Sequence, residues 1–182
     1  MHRQRYASML TFSFCLAALF LSACAKAPTY TREEWLAIST RHYIGSTPEQ
    51  LLSAAEKVFL LADGSDFRIT HQVSSMRAVR VEPWLFMKNE WDITCMPTET
   101  GTTVSVSMRN IATPYNVDAY PYPDAIDLFH TRLAYLLSGS GAWMTCPSYK
   151  AQFKAKHKRY PILESICAGA KDETPPASSK DQ

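Results

Sequence analysis

The segment "WDITCMPTETGTTVSVSM", Trp91 to Met108, alternates apolar and polar side chains on both sides of a short turn. Alternation with a period of two predicts a pair of β-strands, each with one buried face. The turn ends at Gly101 and is short, which predicts an antiparallel hairpin. The apolar positions of the predicted buried face are Trp91, Ile93, Cys95, Val104, Val106 and Met108. This hairpin decides the fold, because it predicts a sheet that needs cover on one face only.

Two more strands are predicted before the hairpin. In "DFRITHQV", residues 66–73, apolar and polar side chains alternate again. In "RAVRVEPWLFMK", residues 77–88, one face carries Val79 and Val81 and the other carries Arg80 and Glu82. Pro83 then interrupts the strand, which predicts a bulge or an edge. Short turns join consecutive strands, so the sequence predicts a four-stranded antiparallel meander.

Amphipathic helices flank these strands. The segment "STPEQLLSAAEKVFLLAD", residues 46–63, carries a capping pattern at Thr47 and apolar residues on one helical face. "PDAIDLFHTRLAYLLSG", residues 123–139, has a second apolar stripe and a glycine placed to end the helix. A shorter helix is predicted from a capping box at residues 31–34. We therefore expect an α+β fold, a two-layer sandwich in which helices pack on one face of the meander. The other sheet face, rich in Thr, Ser and charge, meets either solvent or a partner.

The first 24 residues have the parts of a secretory signal. A basic start is followed by an apolar core from about Ala7 to Leu21 and by small residues. Their last four residues, "LSAC" at 21–24, resemble the lipobox of bacterial lipoproteins. In that family the cysteine sulfur is diacylated and the chain is cut just before the cysteine. The resemblance covers these 24 residues alone, and it implies that residues 1–23 are a signal peptide and that lipid on Cys24 attaches the mature chain to a membrane.

Two alternatives remain for this segment: an ordinary signal peptide cut near Ala23 or Ala25, and an uncleaved membrane anchor. The apolar core is short for a span, which needs about 20 mostly apolar residues. Residue Ala25 is not an aspartate. In Gram-negative members of the lipoprotein family this implies transport to the outer membrane, so the resemblance implies a lipid-anchored envelope protein that faces the periplasm.

Removal of the signal peptide changes the charge balance. The sequence has 19 Lys plus Arg and 17 Asp plus Glu, and residues 1–23 contain two Arg and no acid, which leaves 17 against 17. A neutral domain argues against nucleic-acid binding, which uses a basic surface. The basic run "KAQFKAKHKR", residues 150–159, is interpreted as a solvated helix face, with a phospholipid or glycan contact as the alternative.

The length of the mature chain fits one domain. Cleavage before Cys24 leaves 159 residues, 182 less 23, which is enough to bury a core. Residues 24–30 are predicted to be a lipidated tether and residues 31–169 a single α+β domain. Residues 170–182 are polar and contain proline, so a disordered tail is expected there.

The sequence contains no recognisable catalytic motif: no phosphate loop, no G-x-S-x-G, no H-E-x-x-H and no dinucleotide glycine pattern. The histidines are scattered, so neither a metal nor another cofactor is predicted. Asp127 and His130 lie three residues apart on a predicted helix and are able to hydrogen-bond like the orienting half of a triad, but a structural role is favoured. His71, on the apolar face of its strand, is likewise interpreted as a core histidine rather than a base.

The cysteines predict a disulfide rather than a zinc site. Besides Cys24 and a cysteine inside the signal peptide, the chain has Cys95, Cys146 and Cys167, too far apart in sequence to include a close pair of ligands. An oxidising compartment favours a disulfide, and three pairings are possible. Cys146 with Cys167 is favoured because both lie in the C-terminal segment, whereas Cys95 faces the core as a small hydrophobe.

A proline-rich loop is the predicted contact surface. The segment "NIATPYNVDAYPYP", residues 110–123, carries Tyr115, Tyr120 and Tyr122 between prolines. Aromatic rings on a stiff backbone are typical of recognition surfaces. The alternative is that these tyrosines pack on their own domain and brace a long connection.

Two classes of function follow. The first is a non-catalytic, lipid-anchored module that binds or scaffolds another envelope protein, in an outer-membrane, secretion or conjugation assembly. The second is a small envelope hydrolase that uses His130 or His71 with a nearby hydroxyl or carboxylate. A deep pocket with two titratable groups in hydrogen-bond reach would support the hydrolase, and a flat surface around both histidines would count against it.

Overall fold

A computed structural model describes residues 30–63, 67–82, 87–112, 117–119, 122–157 and 159–167. The predicted signal peptide, Cys24 and the predicted tail at residues 170–182 lie outside these ranges. The described residues from Arg32 onward belong to one compact unit. Of the helices in the described ranges, none has both the length and the hydrophobicity that crossing a bilayer requires.

Helices and strands both contribute to the described chain, so the predicted α+β class is confirmed. The helices are α1 (Arg32–Ser39), α2 (Pro48–Asp63), α3 (Pro123–Ser138), α4 (Cys146–His157) and α5 (Glu164–Cys167). The strands are β1 (Thr40–Ile44), β2 (Arg68–His71), β3 (Ser75–Glu82), β4 (Met87–Thr98), β5 (Gly101–Ala112) and β6 (Val117–Ala119).

The strands form one antiparallel sheet in the order β1-β5-β4-β3-β2, and β6 pairs with the C-terminal end of β5. The predicted meander is confirmed as β2 to β5. The predicted number of four strands is wrong, because β1 and β6 both pair with β5 and extend the sheet. Neither has a strand pattern in the sequence: "TRHYI" of β1 follows α1 without a loop, and β6 has three residues.

Gly101 allows β1 to lie directly against the central hairpin. Ile44 pairs with Gly101 across the two strands. A Cβ atom at position 101 would lie 2.2 Å from the backbone oxygen of Tyr43 and 2.9 Å from the backbone nitrogen of Gly45. Atoms do not approach that closely, so any other residue at position 101 would displace β1. The glycine thus serves the sheet as well as the predicted turn.

The hydrophobic core lies between one face of the sheet and the helices α2 and α3. At its centre the ring of Trp91 lies 5.4 Å from Phe59 of α2 and 5.9 Å from Phe129 of α3, measured between centroids. Aromatic pairs of this kind add about 0.5–1.5 kcal/mol beyond the burial of their area. All six apolar positions of the predicted hairpin face are buried here, which confirms that prediction. The helices contribute Leu51, Ala55, Val58, Phe59, Ile126, Phe129 and Leu133.

Candidate functional site

His130 lies in α3, where this helix meets β1. Its side chain is fully buried, and the hydroxyl of Tyr43 lies 2.8 Å from its Nδ1. Burial, followed by the charge of Arg41, lowers the pKa of His130 to about 4. The ring is therefore neutral at pH 7 and shares a hydrogen bond with the Tyr43 hydroxyl. Burial also raises the pKa of Tyr43. These contacts are typical of a structural histidine rather than of a base that meets substrate.

Asp127 does not pair with His130. Its Oδ1 accepts a hydrogen bond from the guanidinium of Arg41, and its Oδ2 accepts one from the Tyr149 hydroxyl at 2.8 Å. Burial and the Asp127 charge together raise the pKa of Tyr149. The half-triad considered from the sequence is therefore not formed, because β1 and α4 bring other donors to both oxygens of this carboxylate.

His71 is exposed, so its interpretation as a core histidine is wrong. Its Nε2 lies 3.1 Å from Oε2 of Glu56 on α2, and 43% of its side chain is accessible to solvent. The residue keeps the inward parity of its strand and pairs with the buried Met76. However, it is the last residue of a terminal strand in the sheet, where the cover of the core ends.

Two surface grooves are lined by neither histidine. One has a volume of 750 Å³ and lies between the β1–α2 turn, α2 and α3, with Glu49 and Lys57 as its charged side chains. The second has a volume of 510 Å³ and is lined by residues of β2, β3 and β4 with the intervening turn, among them Arg77 and Asp92. Neither groove is lined by a histidine next to a second titratable group, which the hydrolase considered from the sequence would need. Within the described ranges no three His, Cys, Asp or Glu side chains are placed to hold a metal ion.

The sheet face opposite the core carries a row of paired charges. We define the outer face as Thr70, Arg77, Val79, Val81, Lys88, Glu90, Asp92, Thr94, Thr103, Ser105, Ser107 and Arg109. Arg77 donates to Asp92 at 2.6 Å, and Arg109 donates to Glu90 at 2.8 Å. Lys88 also contacts Glu90, and the hydrogen bond from Lys88 is the main reason why the pKa of Glu90 is lowered. Charges of opposite sign thus lie side by side across β3, β4 and β5.

A row of buried polar residues on the core face was missed by the sequence analysis. Arg80, Asn89 and Asn110 are in register on β3, β4 and β5, and all three are buried. In β3 the polar Arg80 thus faces the core, and the valine face predicted from the alternation faces outward, so that Val81 is 56% exposed. Among the described residues, Oδ1 of Asn110 and Nε1 of Trp91 have no hydrogen-bond partner. Each member of the row is two residues away from a core residue of its own strand. Alternate residues of a strand face the same side, so this spacing is the sequence signal for an inward position.

A disulfide joins the start of α4 to α5. Cys146 and Cys167 form this bond with their Cα atoms 6.0 Å apart, and they are the pair that the sequence favoured. The buried Arg132 donates to Sγ of Cys146 at 3.3 Å and to the carbonyl of Met144 at 3.0 Å. Cys95 is a free, buried thiol, and burial raises its pKa to about 11, which makes it unreactive.

Of the three loop tyrosines, Tyr122 lies within the described residues. Tyr115 and Tyr120 lie outside the described residues. Tyr122 immediately precedes α3, is half-buried and packs against the hydrophobic core. Its carbonyl accepts hydrogen bonds from the N–H groups of Ala125 and Ile126 at 3.1 and 3.3 Å. These contacts favour the alternative role for Tyr122, in which the ring packs on its own domain.

No protein-family model matches this sequence, and neither a curated protein nor a solved structure matches it.

Proposed function

We propose that the chain is a lipid-anchored protein of the cell envelope whose domain binds or scaffolds another envelope protein and catalyses no reaction. The domain is a two-layer sandwich, with α2 and α3 on one side of the sheet and the outer face as the binding surface. The outer face is the observation that carries this proposal. The lipobox resemblance at residues 21–24 supports attachment through Cys24, at the outer membrane and facing the periplasm.

The chemistry of the outer face suits a protein partner. Its cations and anions alternate, so it complements a surface of mixed charge better than a uniformly charged polymer. The pairs Arg77–Asp92 and Arg109–Glu90 hold one another in position before binding. Exposed Val81 adds apolar contact area, and the 510 Å³ groove makes part of this face concave. Protein interfaces combine apolar area with a polar rim in this way.

The surroundings of both histidines support binding over hydrolysis. His130 is buried and neutral, and its Nδ1 is occupied by Tyr43. His71 is exposed and contacts Glu56, with no nucleophilic hydroxyl or thiol among its hydrogen-bond partners in the described chain. The hydrolase considered from the sequence would need one of these imidazoles to reach both a nucleophile and a substrate. Neither histidine is placed for that task.

Site-specific crosslinking in intact cells tests the binding surface. A photoreactive residue at Thr94, which is exposed and lines the outer-face groove, is expected to capture one defined envelope protein. The same residue at Lys57, which is exposed on α2 in the other layer, is the matched control. Capture of the same protein with equal yield at both positions, or at neither, would contradict the proposed surface.

Lipid attachment is tested separately by Cys24→Ser. We expect that cells fed labelled palmitate incorporate label into the original chain and not into this variant, because the variant lacks the acylated sulfur. The variant should accumulate as precursor or appear as unanchored protein. Equal labelling of both chains would rule out acylation at Cys24.

A further inference from the structure

The helix α4 presents three lysines that have no carboxylate partner among the described residues. Lys150, Lys154 and Lys156 are exposed on it, and within the described chain none of them forms an ion pair. Moreover, the sequence has no Asp or Glu from Leu128 to Leu163. Arg77, Lys88 and Arg109 of the outer face differ, since each of them contacts Glu90 or Asp92. The positive field of α4 therefore extends into solvent and attracts anions.

Exposed apolar groups lie next to these lysines. Tyr160 is 65% exposed and Ile162 is 46% exposed. The ammonium of Lys154 lies 4.5 Å from the centroid of the Tyr160 ring and 2.5 Å from its hydroxyl. Lysines combined with an aromatic ring and an aliphatic side chain are typical of surfaces that rest in lipid headgroups. An acidic protein would suit the lysines and the exposed Tyr and Ile as well, but the lipid attachment proposed at Cys24 places the domain beside a membrane, which favours headgroups as the occupant.

The segment that carries Tyr160 and Ile162 is held firmly in place. Arg159 donates to both carboxylate oxygens of Asp124, at 2.8 and 3.0 Å, and its guanidinium lies 4.6 Å from the ring centroid of Phe153. The N–H of Ile162 donates to the same carboxylate at 3.2 Å. Little ordering entropy is then lost when this surface meets a membrane, because the backbone is already fixed.

The tether is long enough to bring α4 to the membrane. Eight residues lead from Cys24 to Arg32, and fully extended they reach about 27 Å. α1 packs within the domain and is about 12 Å long, so this reach exceeds the distance from Arg32 to the other end of α1. α1 leads directly into β1, whose Arg41 shares the carboxylate of Asp127 with Tyr149 of α4. Arg41, which follows the end of α1, and Tyr149 of α4 thus contact the same side chain, Asp127.

We propose that α4 together with residues 159–162 docks on the anionic headgroups of the membrane to which the chain is anchored, with the lysines on phosphates and with Tyr160 and Ile162 at the headgroup level. This inference rests on the lipid attachment proposed above. Docking would fix the orientation of the domain, so that the outer face is presented to its partner at a defined angle.

Amine labelling of the lipidated protein in vesicles tests the docking. The vesicles consist of phosphatidylcholine alone or with phosphatidylglycerol added, and mass spectrometry follows the acetylation rate of each lysine. Lys150, Lys154 and Lys156 are expected to react several-fold more slowly on the anionic vesicles, and high salt should abolish the difference. Lys57 on α2 is the internal control, since a lower surface pH would slow all lysines alike.

A pair of variants makes the test specific. In Lys150→Glu/Lys154→Glu, two cations become anions, so Lys156 should react at the same rate on both kinds of vesicle. Lys57→Glu should behave like the original chain. Equal rates for α4 in the original chain, or equal slowing of Lys57, would overturn the proposal and assign α4 to solvent or to an acidic protein.

The lipid attachment and the docking can fail separately. If the purified chain carries no lipid, its co-sedimentation with the two kinds of vesicle makes the same comparison directly. Binding to the anionic vesicles that is lost in Lys150→Glu/Lys154→Glu would then support docking without an anchor. The loss of two lysines is expected to weaken this binding at least roughly 25-fold, at about fivefold for each cation near the surface. Equal sedimentation with both kinds of vesicle would overturn the docking.

Discussion

The carboxylate of Asp127 accepts a hydrogen bond from Arg41 at Oδ1 and from Tyr149 at Oδ2. These donors belong to β1 and α4, and Asp127 belongs to α3. One side chain of α3 therefore joins an edge strand of the sheet to α4. The Tyr149 side chain is buried, whereas Arg41 is partly exposed, so the tyrosine depends more on this carboxylate.

Removing the Asp127 carboxylate should destabilise the domain. We expect Asp127→Ala to lower the free energy of unfolding by about 1–3 kcal/mol, because the buried Tyr149 hydroxyl loses its acceptor. Asp92→Ala on the outer face is the matched control and should cost about 1 kcal/mol or less, as exposed ion pairs do. Denaturant titration measures both. In a Tyr149→Phe background the cost of Asp127→Ala should shrink, and strictly additive costs would contradict the proposed coupling.

Buried His130 should make the stability depend on pH. Its pKa is about 4 in the folded chain, against an ordinary value of 6.5. Between these values the unfolded chain binds the proton more readily, so acid favours unfolding. The stabilisation is present above about pH 6.5 and is lost as the pH falls towards 4, by about 3 kcal/mol in total. Unfolding free energies measured from pH 7 to pH 4 give this slope.

His130→Gln provides the comparison for that slope. The variant lacks the titrating ring, so its stability should fall less steeply with acid, whatever its stability at pH 7. His42→Gln, at an exposed histidine, is the matched control. If His130→Gln and the original chain have the same slope, the ring does not titrate as inferred.

The disulfide between Cys146 and Cys167 should stabilise the C-terminal part of the domain. The two residues are 21 positions apart, and a loop of this length contributes roughly 3 kcal/mol in the chain-entropy model. Peptide mapping without reduction should recover these two cysteines joined and Cys95 as a thiol. Recovery of Cys146 as an alkylated thiol from the native protein would show that the bond is not formed there.

The central hairpin was predictable because its pattern is local. In β4 and β5 the apolar side chains recur at every second residue, and each strand buries the face that its own sequence marks. β1 and β6 escaped prediction, since they are short and owe their strand conformation to pairing with β5. For β1 this partner strand lies more than 55 residues away in the sequence, as the pair Ile44 and Gly101 shows.

The contacts around the candidate sites were less predictable, because they depend on distant parts of the chain. Arg41 and Asp127 are 86 residues apart, so the helical spacing of Asp127 and His130 pointed to the wrong pair. His71 has the inward parity of a core residue, yet it ends a terminal strand where that face is open. The parity of Arg80 is equally regular, but its polar character hid its burial. In β2 the periodicity gave the inward direction of His71 but not its surroundings, and in β3 it did not show that Arg80 rather than Val81 faces the core.

The last prediction concerns the tyrosines of the loop at residues 110–123, which were interpreted as a contact surface. Tyr122 packs against the core, so Tyr122→Ala alone should lower the melting temperature. Tyr115→Ala/Tyr120→Ala is the informative variant: if these rings face outward, it should melt like the original chain and weaken partner capture by a few kcal/mol. Melting curves and crosslinking yield at Thr94 are measured on the same preparations. A double variant that melts far lower would show that these rings are structural as well. A double variant that melts and captures normally would remove them from the interface and leave the outer face as the binding surface.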